Sequence, residues 1–442
     1  MSGKTGQAVE KDVSLLTRRS LLAGVGAGLS AFAVGCVALD RLVLPGAGRA
    51  ADWRLYDYVY VDGKSNISSF VVSNMAEGSH ICLGSSEFFI SKDRVSTCPQ
   101  VVFGEHVTGV DMTYVGETME QSLWHCISAG AYARRLSGDR RVMLVVSPQW
   151  FFKGSGDASK FSSKFSYSLY QEFCDNPSIS NETRAYVRGR VGALGVDTKQ
   201  IAAANRDTPA SVLDAAAYYE ADQLLLRSKL GDIIARAPAK GDVRWAGVPT
   251  GEPDWAQLIA DGIAEGRRRC TNNDYYVDDS FWDAHSNDSY QVGENFHEAD
   301  DEYADFARLL GVCGECDLTP LVCILPIHGL WYDHCGVSGD ERQAYYRRVR
   351  GLCDEAGASY MDFSSCEYER YFFYDTTHPG WVGWVRIEQS YFDFMMGRDD
   401  PFLGGGSHGE AAGLLSPDAT QAAGDGDANG DAATSVTSGE GS

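Results

Sequence analysis

Short apolar runs alternate with longer amphipathic stretches along most of this chain. Five runs carry the side chains of buried strands: His80 to Gly84, Val110 to Val115, Arg141 to Ser147, Leu321 to Pro326 and Ser359 to Asp362. Most are bounded by turn or polar residues, and helical periodicity fills the spaces between them, so an α/β chain with a mostly parallel sheet is expected. A long interval, about 153–295, separates the third run from the fourth. There Thr208-Pro209 supplies a helix cap and first-turn proline ahead of an amphipathic run through Leu230, and 238–253 is a Pro/Gly-rich break. The pattern predicts a large helical insertion covering the sheet edge, and a further helix over Trp381 to Met396. No internal repeat is visible.

The two ends depart from this alternation. Ser20 to Leu39 carry no charge, and twenty helical residues span about 30 Å, one hydrocarbon core. Lys4, Lys11, Arg18 and Arg19 precede the run. A cytoplasmic N-terminus (1–19), a transmembrane anchor (20–39) and an extracellular body (52–397) are therefore expected. A twin-arginine signal at Thr17-Arg18-Arg19 and a lipoprotein signal ending Ala33-Val34-Gly35-Cys36 are alternatives with the same outcome for the body. A buried core helix is the one alternative that differs. After Phe402 no aromatic residue occurs and after Arg398 no lysine or arginine, so 404–442 is expected to be a disordered acidic tail.

The chain has 442 residues, 44 % of them hydrophobic, enough for one large or two ordinary domains. Its formal charge of −23 argues against nucleic acid as a partner. Of twelve cysteines, Cys36 lies in the apolar span, leaving an odd eleven in a compartment where disulfides persist. Cys313-Gly314-Glu315-Cys316 is a single CxxC; zinc, thiol chemistry, a local disulfide and buried thiols all fit it, and no metal or cofactor is expected from it.

One constellation carries chemistry. Ser86 follows the first apolar run and the turn Gly84-Ser85, where an open parallel sheet presents its carboxyl edge. Asp375 and His378, three residues apart, precede the last expected helix and can point at the same edge. A serine hydroxyl becomes a nucleophile when an imidazole takes its proton and a carboxylate holds that imidazole in one tautomer. Gly116, after the second run, and Gln149, after the third, are placed to donate to an oxyanion. Trp150, Trp331, Tyr332 and Trp381 are candidate substrate contacts, with core packing as the alternative. Taken alone, a serine in a Ser-Ser turn such as Ser86 is more often a helix cap than a nucleophile.

The order serine, glycine, amide, Asp-x-x-His resembles that of the SGNH (GDSL-like) hydrolases, except that Ser85 stands for the family's aspartate and Gln149 for its asparagine. Gly84-Ser85-Ser86-Glu87, Ser147-Pro148-Gln149-Trp150-Phe151, Trp331-Tyr332-Asp333, Asp362-Phe363-Ser364 and Asp375-Thr376-Thr377-His378-Pro379-Gly380-Trp381 together resemble the DltD family of D-alanyl-lipoteichoic acid biosynthesis. The resemblance runs from the anchor to about Gly397 and takes in Asn176-Pro177-Ser178-Ile179-Ser180 and Thr271-Asn272-Asn273. His328 and Leu330 depart from the family's Asn-Gly-Lys pattern.

The resemblance implies an SGNH-like three-layer fold and an acyltransferase or thioesterase on the outer face of a Gram-positive membrane. Ser86 would accept a D-alanyl group, with His378 as base and Asp375 as its orienter, and a polyglycerol-phosphate hydroxyl of teichoic acid would take it. A membrane O-acyltransferase, DltB, and a D-alanyl carrier protein, DltC, are the implied partners. Arg134, Arg135, Arg140 and Arg141 are candidates to meet the phosphates, a solvated basic face being the alternative. A non-catalytic scaffold and a generic cell-surface esterase remain open.

Overall fold

The computed structural model describes residues 63–73, 75, 79–89, 94–103, 108–110, 112–136, 140–154, 156–236, 251–286 and 296–406, with residues 27, 28, 30, 31, 34 and 35. Six strands form one sheet in the order β2-β1-β3-β4-β5-β6: β1 (His80–Leu83), β2 (Met112–Val115), β3 (Arg141–Val146), β4 (Thr319–Ile324), β5 (Ser359–Asp362) and β6 (Leu403–Gly405). The first five run parallel, with Leu83 opposite both Val115 and Leu144, and Val146 opposite Ile324.

Alternation along these strands divides the interior into two cores. Leu83, Val115, Leu144, Val146 and Ile324 face one. Cys82, Tyr114, Val145, Cys323 and Met361 face the other. Both faces are covered, which is why the strands read as continuous apolar runs rather than alternating ones. Helices α1 (Ser122–Ala133), α3 (Asp300–Glu315) and α4 (Gly339–Ala356) cover the first face; α2 (Trp255–Arg269) and α5 (Trp381–Met396) cover the second. Each fully buried Leu, Val or Phe contributes about 1.5–3 kcal/mol.

All twelve residues of α1 are buried. The insertion explains this, because its helix Tyr167–Cys174 packs on the outer side of α1 and Ser211–Arg236 packs beyond that. Its last long helix, α2, lies on the opposite face against α5. The contact is close: a Cβ on Gly262 would lie 2.8 Å from the Trp381 carbonyl oxygen. The insertion thus thickens both helical layers rather than simply bordering the sheet. The helix starts later than the expected cap: Thr208 and Pro209 lie in the turn ahead of Ser211, and Thr208 Oγ1 accepts from the Ser211 amide at 3.2 Å.

Some boundaries differ from the sequence pattern. β4 begins two residues before Leu321 and β2 two residues after Val110, each set by its parallel partner's register. Gly404 and Gly405, expected to open the tail, instead pair antiparallel with Tyr360 and Ser359. Strand pairing uses backbone groups alone, so a stretch poor in apolar side chains still adds a strand. A Cβ at Gly404 would lie 2.5 Å from the Tyr360 ring, so the residue that weakens the apolar pattern is the one that fits there. Residues 407–442 lie outside the described residues, as do most of the expected anchor. Among the described residues, no helix is long and apolar enough to cross a membrane.

The eleven cysteines of the body are free thiols, nine of them buried. Burial pushes Cys313 up to about 12 and Cys316 up to about 11, so the CxxC pair is held as thiols at neutral pH.

Candidate active site

The strand order places the crossover from β1 to β2 on one side and β3 on the other, and ligands of open α/β sheets bind at the carboxyl end of that switch point. Ser86 opens a short 3-10 turn (Ser86–Phe89) directly beyond β1. A Cβ on Gly116 would lie 1.8 Å from the Gly84 carbonyl oxygen, so only glycine lets the end of β2 pass this close beneath the turn. Gly116 also has φ +148°, which disfavours any side chain.

Asp375 and His378 lie on a tight loop closed at its base by the bridge between Phe373 and Pro379 and by the Tyr374 amide donating to the His378 carbonyl at 2.9 Å. Asp375 Oδ1 accepts from the amides of Thr377 and His378, each at 2.8 Å. Its other oxygen, Oδ2, lies 2.7 Å from His378 Nδ1. His378 Nε2 lies 2.7 Å from Ser86 Oγ. An ionised carboxylate only accepts, so Nδ1 carries the proton and Nε2 is left to accept from the Ser86 hydroxyl. Residues 292 apart in sequence thus form one continuous chain of hydrogen bonds.

Electrostatics fit that chain. Burial by itself pushes the Asp375 carboxyl up, but the charge and hydrogen bond of His378 and the two amides outweigh it and hold the carboxyl below its ordinary value. Burial likewise pushes His378 down, yet the Asp375 charge and hydrogen bond, aided by Glu87, raise the imidazole above its ordinary value. The His378 side chain remains 20 % exposed, so its edge is open to a substrate.

Glu87 is the group that sequence reasoning left without a role. It is fully buried, and its Oε2 accepts from the Ser85 amide at 2.7 Å, which fixes the turn presenting Ser86. Burial pushes its carboxyl up, against the pull of His378 and of the nearby amides. The signal was present in Gly84-Ser85-Ser86-Glu87, an acidic residue directly after a candidate nucleophile. Ser65 is a second such group: its Oγ accepts from the Gly116 amide at 3.1 Å, so that candidate oxyanion donor is already engaged. Gln149 lies half-buried in the turn Pro148–Phe151 beyond β3, and its carboxamide makes no hydrogen bond to another described residue.

The aromatic candidates sit in the cores. Trp150 is 3 % exposed, its ring 5.4 Å from that of His125. Trp381 is fully buried, and its indole N–H donates to the Arg94 carbonyl at 3.1 Å. Trp331 and Tyr332 are buried members of the helix Gly329–His334. His328 caps that helix, donates through Nε2 to the Tyr275 carbonyl at 2.9 Å and stacks on Phe373 at 4.7 Å, beneath the Asp375 loop. Burial lowers it to about 4, so it is neutral there. Asn176 donates to the Gly130 carbonyl at 2.7 Å, tying the insertion to α1, while Asn273 donates to Val277 within its own turn.

The four arginines are not at this edge. Arg141 begins β3 and Gln149 lies beyond its end, so in a parallel sheet they occupy opposite edges, separated by about 17 Å of strand. Arg140 donates to the carbonyls of Cys316 and Asp317, and Arg135 pairs with Glu172.

The model of a known protein family, described as DltD protein, matches residues 62–396. The chain belongs to the DltD family. Among its relatives, Protein DltD of Bacillus subtilis (strain 168) is 25 % identical over 310 residues, covering 67 % of this chain and 78 % of that one. Protein DltD of Staphylococcus aureus (strain NCTC 8325 / PS 47) is 22 % identical over 311 residues, covering 69 % and 78 %. Protein DltD of Lacticaseibacillus rhamnosus is 23 % identical over 310 residues, covering 64 % and 70 %. Membership of the family indicates a role in the D-alanylation of teichoic acids.

Proposed function

We propose that the chain is an SGNH-type serine acyltransferase or thioesterase of teichoic acid D-alanylation, working through an acyl-Ser86 intermediate. The hydrogen-bonded chain Ser86–His378–Asp375, 2.7 Å at each link, is the observation that carries this reading. Ser86 Oγ gives its proton to His378 Nε2 and bonds to the carbonyl carbon of a D-alanyl thioester or ester. The donor's thiolate or alkoxide leaves with that proton. A polyglycerol-phosphate hydroxyl then gives its proton to the same imidazole, attacks the acyl carbon and releases Ser86 with the proton returned. Asp375 keeps the imidazole in the working tautomer and stabilises the imidazolium.

The transient oxyanion is met by the Ser86 amide, at the start of its turn, and by the Gln149 carboxamide. Gly116 serves only if its amide leaves Ser65. The body stands on the extracellular face, carried by the apolar span 20–39, where donor machinery of the DltB and DltC kind delivers the acyl group.

Exposure of the full chain to an activated serine-directed phosphonate should add one adduct to the intact mass, located at Ser86 and absent from Ser86→Ala. A folded protein that takes no adduct at Ser86 would favour a scaffold of the same pathway. The base must be neutral to act, and its carboxylate partners raise it. The pH profile of ester kcat/KM should therefore rise to a plateau with its midpoint above about 6.5. Asp375→Asn should move that midpoint down; a midpoint that stays fixed removes Asp375 from the role of partner.

A further inference from the structure

A cavity of about 340 Å³ opens beyond β2 and β3, within the size range of small-molecule sites. Met119 in its lining follows Gly116 by three residues, and Phe152 follows Gln149 by three. Three residues of chain reach at most about 11 Å, so the cavity is a neighbour of the candidate active site. It is walled by a loop with two special glycines: Gly154 has φ +78°, and a Cβ on Gly156 would lie 2.5 Å from Gln121 Oε1.

Trp124, Phe161 and Leu194 supply apolar lining. The charged lining has both signs: Lys153 and Lys160 among the cations, Glu298, Asp300 and Asp301 among the anions. Arg190 is already held by Asp305 at 2.8 Å and Asp301 at 3.0 Å, Asp300 is held by Arg348 at 2.7 Å, and Lys160 lies 3.7 Å from Asp157. Lys153 and Glu298 are 3.8 Å apart and each more than half exposed, a weak pair that a ligand's own charges can replace. Glu302 accepts from the Ser122 amide, and burial raises it to about 8, so it adds little charge at neutral pH. A lining of one sign selects an anion or a cation; a lining of both selects a zwitterion.

We propose that this cavity is a subsite for an aminoacylated glycerol phosphate, Lys153 meeting its phosphate and Glu298 its ammonium. An already acylated repeat of the polymer rests there while a neighbouring hydroxyl reaches Ser86. The inference deepens the acyl-transfer reading and rests on it.

Isothermal titration of the full chain with glycerol phosphate carrying a D-alanyl amide, which Ser86 does not turn over readily, tests it. The zwitterion should bind at least tenfold more tightly than glycerol phosphate or D-alaninamide. Glu298→Gln and Lys153→Ala, both at exposed positions, should each weaken it about fivefold, and Glu298→Gln should not weaken glycerol phosphate. Equal affinity for all three ligands, or variants that bind as the wild type does, overturns the proposal. Dihexanoyl phosphatidylethanolamine offers the same pair of charges from a lipid; if it competes as well as the polymer analogue, the polymer subsite is overturned in favour of a lipid site. Phosphonate labelling of Ser86 is read separately. A labelled Ser86 without zwitterion binding removes only the subsite, whereas an unlabelled Ser86 removes the acyl-transfer reading.

Discussion

Ser86→Ala is expected to bring ester-linked D-alanine on teichoic acid to background in a strain lacking the native protein, with expression and membrane location intact. Loss of a triad nucleophile costs roughly 10⁴–10⁶-fold in turnover, so no partial phenotype is expected. His378→Ala should match it, because the serine loses its hydrogen-bond partner at 2.7 Å, the proposed base. The double variant should be no worse than either single one, since the two act as a unit. Asp375→Asn should be less damaging than loss of the nucleophile, as the imidazole remains but loses its guide. The measurement is D-alanine released by mild base from purified polymer, alongside the thermal midpoint of each variant. Near-normal D-alanine in the Ser86→Ala strain would leave the hydrogen-bonded chain a structural role and make the protein a scaffold.

Gly116→Ala should be among the most destabilising single-methyl additions in the body. The new Cβ would sit 1.8 Å from the Gly84 carbonyl oxygen, and the backbone there, at φ +148°, is one that alanine rarely adopts. Relief requires the ends of β1 and β2 to separate, which also moves Ser85 and Ser86. Strain and overpacking together suggest a loss of roughly 3–6 kcal/mol. The midpoint of thermal unfolding should fall by about 6 °C or more. Phosphonate labelling of whatever folded protein remains should slow as well, because the same shift displaces Ser86. A change below about 1 kcal/mol would contradict so close an approach of the two strands.

The partition between what was legible and what was hidden follows chemistry and distance. That Ser86, Asp375 and His378 could meet at one edge was legible because a serine, an imidazole and a carboxylate stand in loops beside the ends of apolar runs. The five parallel strands were legible because a sheet covered on both faces must be apolar on both. Glu87 was visible but unassigned: a carboxylate beside a serine reads as surface until burial and the bond to the Ser85 amide are known. β6 was missed because glycine strands carry no side-chain pattern.

The sequence by itself therefore determined the α/β fold class, the candidate chemistry and the edge of the sheet where those residues gather. Local propensity and side-chain type are properties of each short segment, and they survive being read one segment at a time. Only the tertiary structure decided that Ser65 takes the Gly116 amide, that Arg141 stands at the far edge from Ser86, and that a cavity with both signs of charge lies beside the site. Those facts depend on which segments meet, and that is set by packing the insertion onto both helical layers, a competition among many weak contacts that no single stretch of chain encodes.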